Sequence, residues 1–577
     1  MSLASLPPSH SLHHRRTYVH NHRRLFRRLT LLAVLLVVSG ILLLPVARKV
    51  KKRLFGPRPE PVPTKVARIT PADGSVNVPV DVSLRATLKT GQSPVDPATI
   101  SPQAIHLYRA GDQKPVAIEA SLMNEGELLI KPQQSLEPLT NYNLLVTPGV
   151  KDQNGSPIRA FIMAFTTAGT SNLDVAFEKV ELPATSGFMW TAVVIGPDGK
   201  LYAGCDDGRI YRFTLAPDGT IRGEGELIDS LRNHNNGPRL LTGFCFDPKS
   251  TADNLVIYAA NSFYAYENCP DLSGKVTRLA GPALAEVKDV VTGLPRSVGD
   301  HSTNQPSFGP DGCLYIPQAS NTAFGDADPI WGMRPERKLN ATILRLDLAK
   351  LGDATLDART ADVGGTFDPE APGSPMTIYA HGVRLAYDML WHSNGQLYVP
   401  VNGASSGGNA PAGNGAPAIK AASTAEDDYL MKIIPGRYYG HPNPQQGTFV
   451  LNGGNPTSAY DFSEVCQYPE GTMPDPRWDP SAWVIGQHYS PNGVIEYQAD
   501  HFGGALKGKM LICRYSRGKD MLVVSLDAQG NISDVTCQIP GLRDFQNPLD
   551  VIEHPETGNL YVADLMAKKI ILCRPVK

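Results

Sequence analysis

Acid is missing from the first 59 residues of this 577-residue chain, which hold 12 Lys/Arg and no Asp/Glu. The remainder carries 42 basic against 56 acidic residues, so the overall balance of −2 hides a body near −14. So acidic a body speaks against nucleic-acid binding. Also missing are any C-x-x-C pair and any Cys/His spacing suited to a metal, although there are 8 cysteines, all beyond residue 200. Several sit in apolar strand patterns (GFCFD, MLICRY, IILCR), which reads as buried free thiol. Export of the body would open the alternative of one or two disulfides. Charged residues make up 19% and apolar ones 42%, a globular rather than a disordered balance. The 49 prolines and 53 glycines are spread along the chain, as in an all-β protein rich in turns, and the length calls for two or more domains.

The basic end surrounds 19 uncharged residues, LTLLAVLLVVSGILLLPVA, from Leu29 to Ala47. That run is roughly 28 Å long as a helix, enough to cross a hydrocarbon core. It leads into Arg48-Lys49-Val50-Lys51-Lys52-Arg53 rather than into a small-x-small cleavage site. The expectation is a basic tail (1–28), one uncleaved transmembrane helix (29–47) and a stiff proline-rich linker (48–65). The bulk of the chain would then be periplasmic or extracellular, with the membrane as its partner. Oligomeric state is not readable.

From residue 66 to 168 short alternating strands (VDVSLRATL, AIHLY, ELLIKP, YNLLVTP, FIMAFTT) are separated by Asp, Gly, Asn and Pro turns, which reads as a small β-sandwich. From 175 to 577 one idea recurs: a Gly-Pro-Asp-Gly turn or a relative, then a strand containing Leu-Tyr. The copies begin near Ile195, Phe246, Phe308, Trp391, Leu506 and Glu553. Six unequal copies imply a six-bladed β-propeller. Their spacing places long insertions in the fourth and fifth copies. Loops such as NGASSGGNAPAGNGAPA are too Gly/Ala/Asn-rich to form a core of their own. The fold class is all-β: a six-bladed propeller preceded by an Ig-like sandwich and one transmembrane helix.

ITPADGSVNVPVDVSLRATL, SLEPLTNYNLLVTPGVKDQNG and AFTT resemble the bacterial Ig-like domain of the SbsA type, a family used as spacer or adhesion module. VVTGLPRSVGDHSTNQPSFGPDGCLYI resembles the soluble quinoprotein glucose/sorbosone dehydrogenase family. So do LLTGFCFDPKSTADNLVIYAANS, LNATILRLDL, AEDDYLMKIIPGRYYGHPNP and HYSPNGVIEYQADHFGGALKGKMLI, in the family's order. The resemblance implies that His301 is a general base taking a sugar hydroxyl proton, with Asp300 beside it to orient the ring. It implies that Arg384, in AHGVRLAYDMLW, lies over the quinone cofactor PQQ. An imidazole accepts a proton near neutral pH, and a fixed cation stabilises developing negative charge.

The chain departs from the family in three places. Leu385-Ala386 stand where the family has Asn-Pro. GPRLLTGF offers Pro238 and Arg239 where the family has Gln. Asn547 and Leu549, in QNPLDVIEHPETG, stand where the family's arginines grip the carboxylates of PQQ. Arg514, Arg517 and Arg543 are the nearby candidates to replace them. Glu426, Asp427 and Asp428 supply hard oxygen donors for the calcium that activates PQQ. Three function classes stay open at this point: a membrane-anchored PQQ-dependent aldose dehydrogenase, a cofactor-less propeller that binds sugars, polysaccharides or proteins, and a calcium-using hydrolase or lactonase.

Overall fold

The computed structural model describes residues 64–576, apart from 90, 92, 110–113, 125, 169–172, 457–464 and 481–482. The tail 1–28, the span 29–47 and the linker as far as residue 63 lie outside the described residues. Among those described, no helix is long and apolar enough to cross a membrane. The described chain is all-β apart from two short α-helices, Ser230–Asn235 and Leu348–Leu351, and some 3-10 turns.

Residues 65–167 form two packed sheets. One has the strand order Lys65–Thr70, Leu84–Lys89, Glu127–Pro132, Ile118–Asn124. The other has five strands, with Phe161–Thr167 and Asn141–Val146 near its middle. LRATLK shows how sequence sets the layer: Leu84, Ala86 and Leu88 are buried, Arg85, Thr87 and Lys89 exposed. With Leu128, Ile130, Leu144 and Phe165 they make one apolar core.

Six sheets follow. Their first strands are Trp190–Ile195, Arg239–Phe246, Ser307–Phe308, Leu390–Trp391, Pro491–Glu496 and Pro548–Glu553. Each first strand touches the first strand of the next sheet, and the sixth touches the first, so the six enclose an axis. The sixth sheet is completed from the other end of the propeller: Phe177–Glu181 pairs antiparallel with Lys569–Pro575. This closure leaves no gap in the ring, the solution a β-propeller uses to protect its edges.

The recurring turn has a local cause. In Asp-Gly-x-Leu-Tyr the turn carboxylate accepts the tyrosine hydroxyl four residues on: Tyr202 to Asp198 at 3.0 Å and Tyr315 to Asp311 at 3.1 Å. Asn394 donates to Tyr398 in the fourth copy, also at 3.1 Å. The second strands LYAGC, LYIPQ, LYVPV, MLICR and LYVAD are buried at every position, because each lies inside a sheet sandwiched between two others. Each buried Leu or Val there contributes roughly 1.5–3 kcal/mol.

The long insertions fall in the third and fourth sheets (319–341, 402–427 and 434–482) rather than the fourth and fifth. The Gly/Ala/Asn-rich loop does build a core after all: Ala404, Ala410, Ala416 and Ala422 pack with Phe324, Val450 and Leu451. Its small side chains let neighbouring loops approach closely. All eight cysteines are free thiols, seven of them buried and Cys245 partly so.

The Ig-like domain abuts the fourth and fifth sheets. Asn77 donates to Thr536 Oγ1 at 2.9 Å, Asn141 to the Val484 carbonyl at 2.9 Å and the Tyr489 hydroxyl to the Asp73 carbonyl at 3.1 Å. Arg517 pairs with Asp73 at 2.5 Å with its side chain 43% exposed. Solvent screens such a pair, so Arg517→Ala is expected to cost less than about 1 kcal/mol in urea unfolding. A loss of several kcal/mol would instead make this bridge the main clamp between the domains.

Candidate functional site

Antiparallel connectivity decides which residues can meet. In a four-stranded meander the turns from first to second strand lie at one end. The turns from second to third strand, and the connections to the next sheet, lie at the other. The Pro-Asp-Gly turns occupy the first end. His301 and Arg384 lie on sheet-to-sheet connections, and Ser320, Trp331 and Glu336 lie in a second-to-third loop, so all five share the opposite end.

His301 is 3% exposed. Its backbone carbonyl accepts from Arg296 Nη1 at 2.7 Å and from the Ser297 amide at 3.0 Å. Arg296 is itself fully buried and also donates to the Ala265 carbonyl at 2.8 Å. The ring's Nδ1 lies 2.9 Å from the Ser320 carbonyl. A carbonyl only accepts, so Nδ1 carries the proton and Nε2 the lone pair. Burial, and after it the Arg384 cation, hold the imidazole well below its ordinary pKa. His301 is therefore a neutral base. Asp300 does not orient the ring: it is exposed, and Ser320 does that work.

Arg384 is 5% exposed. Nε donates to the Ala323 carbonyl at 3.2 Å, and Nη1 to the carbonyls of Asn402 and Gly403 at 3.1 and 3.0 Å. The Ser320 amide donates to the Arg384 carbonyl at 2.8 Å, so Ser320 ties both connections together. Trp331 completes the group. Its ring centroid is 4.0 Å from that of His301, and the Arg384 guanidinium carbon stands 6.0 Å from the indole. His301 Nε2 and Arg384 Nη2 have no partner among the described residues. Neither is among the atoms sealed from solvent without a partner.

A buried dyad backs this group. His441 Nε2 lies 2.9 Å from Glu336 Oε1, both side chains 1% exposed. Glu336 also accepts the Asn321 and Thr322 amides and the Thr322 hydroxyl. Around the mouth, Tyr264 and Tyr266 both donate to Asp206 Oδ2, at 3.3 and 3.0 Å. Phe263, Tyr264, Tyr266, Ile330 and Met333 are exposed there. Trp331, Ser320, Glu336 and Tyr266 escaped the sequence reading because they sit in loops with no recurring pattern. His441 lay inside a quoted motif, GHPNP, and could have been singled out.

The remaining sequence candidates go elsewhere. Arg514 is sealed in a two-point pair with Asp520, and Arg517 faces the Ig-like domain. Arg543 is exposed on the outside and donates to Gln538. Asn547 gives its amide to the Tyr515 carbonyl at 3.0 Å. Each of these side chains makes its contact away from His301 and Arg384, although Arg514 Nη1 is buried without a partner.

The acidic cluster is not gathered into one calcium site. Asp428 accepts the amides of Gly403, Tyr489 and Ser490, and Glu426 those of Ala404 and the Asn452 side chain. Asp427 points away from both, into a small cavity shared with Asp73, Asn143 and Gln487. There burial, then Asp428 and Glu426, push its carboxyl up to about 7. Among the described residues no three His, Cys, Asp or Glu side chains converge as a metal site.

PQQ carries three carboxylates, and a trianion needs several cationic or N–H partners. Arg384 brings one unpartnered nitrogen, and Glu426, Asp300, Asp428 and Glu336 all act on its guanidinium. The residues at this site do not fit that group.

The class is thus a β-propeller with an Ig-like domain in front of it. A bacterial Ig-like domain model matches residues 60–167, and the N-terminal model of strictosidine synthase-like proteins matches 192–213. No curated protein matches the chain. Among solved structures, the holo PQQ domain of pyranose dehydrogenase from Coprinopsis cinerea is similar over 70% of this chain and 98% of its own, at 13% identity and TM-score 0.45. A protein of unknown function from Bacteroides thetaiotaomicron is similar over 90% and 99%, at 11% identity and TM-score 0.32. Likenesses this distant assign no activity.

Proposed function

We propose that the propeller, read as six blades, carries a carbohydrate site on the face of its long loops, held outside the membrane by an anchor at 29–47. One observation carries the reading. An imidazole lone pair and a guanidinium nitrogen, neither with a partner among the described residues, meet around a single indole. A sugar hydroxyl can donate to His301 Nε2 and accept from Arg384 Nη2 while its ring lies against Trp331. The carboxylates around Arg384 favour a neutral ligand over an anion. The exposed aromatic rim suits a polymer longer than one sugar.

A second reading is an aldose dehydrogenase of the PQQ-dependent type. It is favoured by the same imidazole, which burial keeps neutral and ready to take a hydroxyl proton. It is weakened by the shortage of free cations for that cofactor.

Calorimetric titration of the chain with mono- and oligosaccharides, alone and with PQQ and calcium, tests both readings. The expected result is saccharide binding without any cofactor, weakened at least about tenfold, ~1.4 kcal/mol, in His301→Ala and in Trp331→Ala. Dye reduction that requires PQQ and disappears in His301→Ala would establish the second reading instead. No binding and no turnover with any saccharide would end both.

A further inference from the structure

Asp206, Tyr264 and Tyr266 lie in the second-to-third loops of the first and second sheets, next in the ring to the loop that carries Trp331. Asp206 is 7% exposed. Its Oδ2 accepts the hydroxyls of Tyr264 and Tyr266, at 3.3 and 3.0 Å. Its Oδ1 has no partner among the described residues and is not sealed from solvent. Arg209 does not neutralise it, because that guanidinium pairs with Asp207 at 2.9 Å. A nearly buried carboxylate therefore presents one vacant oxygen at the mouth of the propeller.

Tyr266 joins this carboxylate to Trp331. A Cβ at Gly299 would stand 3.2 Å from the indole and 3.9 Å from the Tyr266 carbonyl oxygen, so the Tyr266 backbone borders Trp331. From there the side chain runs to Asp206. The same segment is tied to the base. Arg296, fully buried, donates through Nη2 to the Ala265 carbonyl at 2.8 Å, between the two tyrosines, and through Nη1 to the His301 carbonyl at 2.7 Å. One guanidinium thus fixes the tyrosine segment and the His301 backbone relative to each other. Tyr264 and Tyr266 are 37% and 47% exposed, yet their hydroxyls are pinned. A ligand lying on them would have little left to order.

We propose that Asp206 Oδ1 and the Tyr264–Tyr266 pair form a second saccharide subsite, which makes the ligand a neutral oligosaccharide of at least two units. The inference rests on the carbohydrate reading and extends it. One unit lies at Trp331. The next lies along Tyr266 and donates a hydroxyl to Asp206 Oδ1. A bond from a hydroxyl to a carboxylate is charge-assisted, roughly twice as strong as one between neutral groups. The same carboxylate repels a uronic acid unit at this position.

Calorimetric titration of the full chain with glucose, mannose and galactose, and with linear oligomers of each, tests the subsite. The expected result is an oligomer that binds at least about tenfold tighter than its own monomer. That advantage should disappear in Tyr266→Ala and in Asp206→Ala. Reading it as a ratio cancels any general weakening of the variants. Tyr266→Phe keeps the ring and should keep part of the advantage. A native chain that binds monomer and oligomer equally overturns the second subsite, whatever the folding of the variants, and leaves the site at His301 and Trp331 standing. An advantage that persists in both alanine variants overturns it equally. Absence of binding by every saccharide overturns the carbohydrate reading itself, and this inference with it.

Discussion

Replacing Arg514 with alanine is expected to destabilise the propeller by about 3–5 kcal/mol, the cost of leaving one partner of a buried ion pair alone. Arg514 ends the second strand of the fifth sheet and makes two parallel bonds to Asp520, Nε to Oδ1 at 2.7 Å and Nη2 to Oδ2 at 2.6 Å. The two side chains are 3% and 10% exposed, so water cannot replace the lost donor. The guanidinium also lies 4.5 Å from the Tyr489 ring, on the connection that touches the Ig-like domain. Burial opposes the arginine charge, but the Asp520 pair outweighs it and holds the group charged. Arg514→Lys should recover only part of the loss, since an ammonium cannot form the fork. The double substitution Arg514→Met with Asp520→Leu should recover more, because it removes both charges. Urea unfolding of the native chain and these three variants checks the order. A loss under about 1 kcal/mol in Arg514→Ala would return this arginine to the list of ligand-binding candidates.

The same residue shows where sequence reading reached and where it stopped. The repeat was legible because its cause is local: the Asp198–Tyr202 and Asp311–Tyr315 bonds span four residues and recur with the turn. His301 and Arg384 stand out through the family resemblance of the stretches that carry them, not through the repeat itself. The partners of Arg514 and Arg517 could not, because Asp520 and Asp73 are chosen by a strand turn and by domain contact. The calcium reading of 426–428 failed for a reason the sequence did contain. Neighbouring residues entering a strand point to opposite sides, so Asp427 could not join Glu426 and Asp428 in one shell. Trp331 and Glu336 were beyond reach, since an irregular insertion carries no period to read.

His301→Gln is expected to abolish saccharide binding at every pH, and the pH profile of the native chain shows why the ring itself matters. Burial, then the Arg384 cation, keep the imidazole neutral well below its ordinary value. Binding should therefore stay level from about pH 8 to below about 6.5, where an ordinary histidine would already be charged. The stability sign follows. The unfolded chain takes up a proton below about 6.5 that the folded ring refuses, so this group costs stability as pH falls from there towards its folded value. Arg384→Met should act twice. Loss of Nη2 weakens binding throughout. Loss of the cation also lets the imidazole charge more easily, so the acid limb of the binding profile moves up towards 6.5. A histidine that served only to hold Ser320 would leave the acid limb where it was in Arg384→Met, and His301→Gln, which can still donate to the Ser320 carbonyl, would bind saccharide normally. Titration calorimetry across pH on the three proteins separates the two outcomes. Normal binding by His301→Gln would remove the base from the site and the carbohydrate reading with it.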